Sequence, residues 1–255
     1  MLLLSAAAQA QTNQAQTDMD AGAPGDPIMA RLSAEKAGVL EPGQYSAGEN
    51  REFSLTPYRG KYLLRFADSD ENFVLTADPG SLGSKLLKYD TGAAALSVSV
   101  WGGVTLYSAD APTGLPATHQ GDATAPSPVA LSTAELKGAL RDEASHFSYT
   151  DSLRLRFSVD AASLADPDSR AMAFDALANT QAGIERLLAA APAARQVVAR
   201  QMSLVKLEKG RKPGISLRGR TLVVHFVPAD GYLGRDSSHA IAHQLGKLLA
   251  VNTAE

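Results

Sequence analysis

The chain has 255 residues, enough for one or two domains at about 150 residues each, and its 45% hydrophobic and 20% charged composition supports a sizeable core. A net charge of −3 gives no global attraction to nucleic acid or to an anionic membrane. The absence of cysteine excludes thiolate zinc sites, iron–sulfur clusters, cysteine nucleophiles and disulfides together.

The N-terminal MLLLSAAAQAQ is a short apolar run followed by Ala8-Gln9-Ala10, the small-x-small pattern that a signal peptidase accepts. Residues 1–10 are therefore expected to be a signal peptide lacking its basic leading region, and the mature chain to be periplasmic or secreted. No other run approaches the roughly 18 apolar residues that span a bilayer, so no transmembrane segment is expected in the mature chain. Residues 11–44 read as a polar linker followed by a short helix that opens at Pro27 and is stopped by Gly38, Pro42 and Gly43.

From Glu52 the apolar period is two. Tyr62, Leu64 and Phe66 alternate with Lys61, Leu63 and Arg65, and Phe73, Leu75 and Ala77 follow the acidic turn DSDEN. KLLKY, ALSVSVW and VTLYS come next, separated by Asp90-Thr91-Gly92 and Gly102-Gly103. Short strands with glycine-containing turns predict an antiparallel meander over 45–118. The Ala-, Pro-, Thr- and Gly-rich stretch from 109 to 130 reads as a surface connection, its core at 119–130.

In residues 131–255, Ser132 and Glu135 fit a capping box and predict a helix to about Ser145. Leu153, Leu155, Phe157 and Val159 mark a strand. Asp166-Pro167 opens a long helix toward Ala190, which Pro192 interrupts before a shorter helix to Gln201. Leu204–Glu208 and Arg220–Val227 are two further strands, and a helix follows Asp236 or Ser237. The expected fold is α+β: an antiparallel meander packed with a second half in the order α-β-α-β-β-α. Charge divides along the same line. Residues 1–130 carry a net of −6 and residues 131–255 a net of +3, so the two parts attract each other or the basic part faces an anion.

The segment KLLKYDTGAAALSVSVWGGVTLYSADAPTGLPA, with Lys88-Tyr89-Asp90-x-Gly92 and the run Trp101 to Tyr107, resembles a family of exported bacterial proteins known as a domain of unknown function. The likeness extends less distinctly to the C-terminus. It implies export and the limits of one unit, and it carries no activity or catalytic residue.

Three groups of residues are candidates for contact or chemistry. Lys209, Arg211, Lys212, Arg218 and Arg220 concentrate positive charge on a Gly- and Pro-containing hairpin, which suits phosphate or carboxylate through charge-assisted hydrogen bonds. Trp101 and Tyr107 are amphipathic aromatics suited to covering a core edge or stacking on a sugar. His239 and His243 share one helical face and, with His225, form a possible zinc triad, although Ala240 occupies the place of the zinc-peptidase glutamate. The pair falls opposite Ile241, Leu245, Leu248 and Leu249, which predicts solvated imidazoles. No G-x-S-x-G elbow is present and no catalytic residue is assigned. The expected function is a non-enzymatic envelope or interaction protein that uses the basic hairpin against an anionic envelope component or an acidic protein, without nucleic acid and without a cofactor. A metal-dependent hydrolase using His225, His239 and His243 is the alternative, and a small-ligand module with a pocket between the halves is a third.

Overall fold

In the first half each strand turns one side chain in two toward a shared interior, so neighbouring hairpins close on themselves. The computed structural model describes residues 40–251. The expected signal peptide and most of the expected 11–44 linker and short helix lie outside them. Eight strands form a closed up-and-down barrel: β1 (Gly43–Ala47), β2 (Arg51–Tyr58), β3 (Lys61–Phe66), β4 (Phe73–Pro79), β5 (Lys85–Lys88), β6 (Ala94–Val98), β7 (Val104–Ser108) and β8 (Ala111–Gly121). Leu55, Leu64, Leu75, Leu87, Leu96 and Leu106 are fully buried and fill the middle of the barrel.

The stretch expected as a connection is in part a strand. β8 pairs with β7 on one side and β1 on the other and thereby closes the barrel. Its side chains conceal this. Pro112 and Pro116 interrupt its donors, only Leu115 and Ala117 pack against the barrel core, and the register with β7 shifts between Leu106 and Ser108. Gly114 has φ +88 and passes so close to β7 that a Cβ there would lie 2.4 Å from Thr105 Cγ2.

The second half has helices on one face of a four-stranded sheet ordered β11-β12-β10-β9. The elements are α1 (Thr133–Thr150), β9 (Arg156–Val159), α2 (Pro167–Ala190), α3 (Ala194–Gln201), β10 (Leu204–Lys209), β11 (Gly214–Arg218), β12 (Thr221–Phe226) and α4 (Ser238–Leu248). The expected order lacked β11, an edge strand antiparallel to β12, because it lies inside the basic stretch. The expected caps are present. Ser132 Oγ accepts from Glu135 N while Glu135 Oε2 accepts from Ser132 N at 2.6 Å, and the Asp166 carboxylate accepts from Ser169 N at 2.8 Å ahead of Pro167.

The halves share apolar surface. Leu63, on the outer side of β3, belongs to the core of the helical half, and Tyr58 and Val74 pack against that core. Within that half α2 and α4 cross closely at Gly183, where a Cβ would lie 2.6 Å from Ile241 Cγ2 and 3.1 Å from Ser238 O. This approach brings the next turn of α2, at Arg186, beside the first turn of α4. Gly183→Val is expected to lower stability by about 2–3 kcal/mol through overpacking. A chemical denaturation midpoint equal to that of the wild type would show that the crossing has room.

Candidate functional site

The hairpin ends β1–β2, β3–β4, β5–β6 and β7–β8 surround one end of the barrel. Above the leucine floor they leave a cavity of about 1110 Å³. Phe66, Phe73, Tyr89 and Tyr107 line it from the barrel, the first three with rings packed in the barrel core, and Arg186 and His239 close one side from the helical half. Tyr107 is held by a 3.1 Å hydrogen bond between its hydroxyl and Ser97 Oγ. At the rim the Arg51 guanidinium is paired with Asp110 across two hairpins, and Glu49, Glu52 and Asp68 are exposed.

The helical wall is fixed by carboxylates that the barrel contributes. Glu71, read from sequence only as part of an acidic turn, is buried. Its Oε1 accepts from Ser238 N at 2.7 Å and its Oε2 from Ser238 Oγ at 2.5 Å. Asp90, the turn residue between β5 and β6, accepts from Ser237 N at 2.8 Å and Ser237 Oγ at 2.6 Å. Ser237 Oγ in turn accepts from Ala240 N as the N-cap of α4. Two carboxylates from the barrel thus each accept one backbone amide at the positive end of α4.

Arg235 completes the junction. It is 5% exposed, is paired with Asp175 through Nε, and donates from Nη2 to the Asn72 carbonyl at 2.8 Å. Its guanidinium also lies over the Tyr232 ring, 5.3 Å from the centroid. Burial lowers its pKa to about 10, against the opposing pull of Glu71 and Asp90. Burial likewise raises the Glu71 pKa above the usual carboxylate range, in opposition to the Ser238 hydrogen bonds and the Arg235 and Arg186 charges. Asn179 Nδ2 donates to the Asp236 carbonyl at 2.9 Å and anchors the loop that leads into α4.

The expected histidine pair is divided. His239 is half-buried rather than solvated, with its ring 4.7 Å from that of Tyr89 and 5.0 Å from that of Phe73. Burial, reinforced by the nearby Arg186 charge, lowers its pKa to about 4 and keeps it neutral. His243 is exposed. His225 lies on β12 between the core residues Val224 and Phe226, so its side chain projects from the opposite sheet face. Among the described residues no group of three or more His, Asp or Glu is placed to hold a metal. The zinc triad of His225, His239 and His243 is corrected accordingly: four-residue spacing put two imidazoles on one helix, but the barrel mouth takes one of them.

The basic residues do not form one surface. Arg211 and Lys212 precede β11, while Arg218 ends it and Arg220 follows, about 16 Å along the strand. Lys209 pairs with Asp166 at 3.1 Å. Arg220 donates to the Ala199 and Met202 carbonyls at the end of α3. Trp101 and Tyr107 are also apart. Trp101 does not cover a core edge; it stands 69% exposed on the β6–β7 turn, at the barrel end away from the cavity.

With this geometry in place, the sequence profile of the family described as a domain of unknown function (DUF4908) matches residues 27–245. The chain belongs to the DUF4908 family. The DUF4908 match spans the barrel and the helical half, so every residue lining the cavity falls inside the family unit. Comparison with curated proteins and with solved structures gave no match. No helix among the described residues is long and apolar enough to cross a membrane.

The depressed His239 pKa has a defined sign. Between pH 6.5 and about 4 the unfolded chain takes up a proton at His239 that the folded protein refuses. Stability is therefore present above pH 6.5 and is lost as the pH falls toward 4, by up to about 3 kcal/mol. In a His239→Gln variant this component is absent. The difference in unfolding free energy between wild type and variant should shrink steadily on acidification from pH 7 to 4, and a constant difference would place a charged imidazole in the folded state.

Proposed function

We propose that the protein is a small-ligand-binding module whose site is the barrel mouth, and that it holds one organic molecule with a short apolar or aromatic skeleton. The observation that carries this reading is the aromatic-lined cavity of about 1110 Å³ bounded by both halves of the chain. It is concave and of the order of size of small-molecule sites, with barrel aromatics at its base and a polar, charged rim. The leucine floor bears on length. Eight-stranded barrels hold either side chains or one small ligand, and here side chains occupy the middle, so a long acyl chain has no channel to thread.

Ser238 Oγ donates to Glu71 and accepts from Arg186 Nε at 2.8 Å, which commits it to holding the wall rather than to attack. Export to the periplasm or beyond belongs to the same proposal and rests on the leader-like MLLLSAAAQA alone.

The test uses the uncharged fluorophore N-phenyl-1-naphthylamine. The wild type should bind one equivalent with a dissociation constant in the micromolar range. Ala94→Phe, which fills the cup from the start of β6, should weaken binding at least tenfold, while Leu82→Ser at the opposite barrel end leaves it unchanged. Equal binding by Ala94→Phe and wild type, or no binding by either, would remove the cavity as the site.

A further inference from the structure

Of the two arginines that line the cavity, one is already committed. Arg51 is neutralised by Asp110. Arg186 is different: among the described residues no carboxylate lies within ion-pair distance of it, and its one hydrogen bond runs from Nε to Ser238 Oγ at 2.8 Å. That bond uses the inner edge of the guanidinium. Ser238 is itself fixed, since its hydroxyl and amide both donate to the buried Glu71. The arginine is exposed at the cavity that it lines and is tethered at Nε to a buried, hydrogen-bonded partner, with no hydrogen bond from its two terminal nitrogens among the described residues. A guanidinium held in this way offers two parallel donors to a planar carboxylate, and little side-chain freedom is left to lose when the bonds form.

The surroundings discriminate between charges. His239 beside it is neutral and adds no second cation. The lining carries Glu49, Glu52, Asp68 and Asp110 against Arg51 and Arg186. A dianionic phosphate would meet this acidic rim with only one uncommitted cation to offset it. A carboxylate carries a single charge, which Arg186 matches, and the rings of Phe66, Phe73 and Tyr89 receive a flat skeleton beside it. We infer that the ligand is an aromatic monocarboxylate whose carboxyl group is clamped by Arg186 and whose ring system lies on the barrel aromatics. This rests on the barrel mouth being the ligand site, as proposed above.

Three probes with one skeleton separate the two readings: 2-naphthoate, 2-naphthamide and the cationic 2-naphthylmethylamine, each titrated calorimetrically into wild type and Arg186→Gln at low ionic strength. The wild type should bind the carboxylate about tenfold more tightly than the amide and should bind the amine most weakly. Arg186→Gln should lose the carboxylate preference and keep the affinity for the amide, which reports an intact cup. Equal binding of acid and amide by the wild type, or tightest binding of the amine, overturns the carboxylate inference and leaves the cavity standing. Retention of the preference in Arg186→Gln overturns the role of that residue in the clamp. Failure of all three probes to bind the wild type removes the inference and the cavity reading together.

Discussion

The buried carboxylate of Glu71 is the constraint from which the rest of the molecule follows. It leaves water at the barrel mouth and accepts two hydrogen bonds from a single residue of α4, one from the amide and one from the hydroxyl of Ser238. An isolated buried charge is costly, and burial does push the Glu71 pKa up. The arrangement persists because every neighbour answers it: the amide end of α4, the Arg235 charge and the Arg186 charge all favour the ionised form. Such a junction contributes modest net stability over an apolar one of similar shape, but it strongly penalises partial removal, with costs of about 3–5 kcal/mol when one partner is deleted. Its effect is to fix the position of α4 over the barrel.

That position decides what the barrel mouth can be. Without α4 and the middle of α2 the upper barrel would be an open ring of hairpins. With them the cup gains a polar wall, and the wall is stiff because its parts hold one another: Glu71 holds Ser238, Ser238 holds Arg186, and Gly183 lets the two helices approach closely enough for this to happen. Asp90 and Ser237 repeat the device one residue earlier. The neutral state of His239 is a product of the same closure, since its burial against Phe73 and Tyr89 depends on where the helix begins.

Much of the fold could be read from the sequence because its signals are local. The Ser132–Glu135 capping box, the Asp166-Pro167 start, the interruption at Pro192 and the period-two strands from Lys61 to Ser108 each rest on residues a few positions apart. β8 escaped because its identity lies in backbone pairing to β1, about seventy residues away in sequence, and its small residues and prolines carry no alternation. β11 escaped because charge dominated the text around it. The site was less legible for the same reason. Glu71 and Ser238 are 167 residues apart, and nothing near Glu71 distinguishes a buried acceptor from an exposed turn acid. His239 was visible as a residue of interest, but its helix alone pointed it at solvent. The missing information was which surface α4 meets.

If the Glu71 junction unites the two halves, they must open together. Native-state hydrogen exchange measures this directly, on the slowest amides of Leu64 and Leu96 in the barrel and of Ile184 and Leu207 in the helical half. Wild type should show one opening free energy for all four, and Glu71→Ala should lower them by the same amount. Persistence of wild-type protection in one half of Glu71→Ala while the other half exchanges freely would contradict the account.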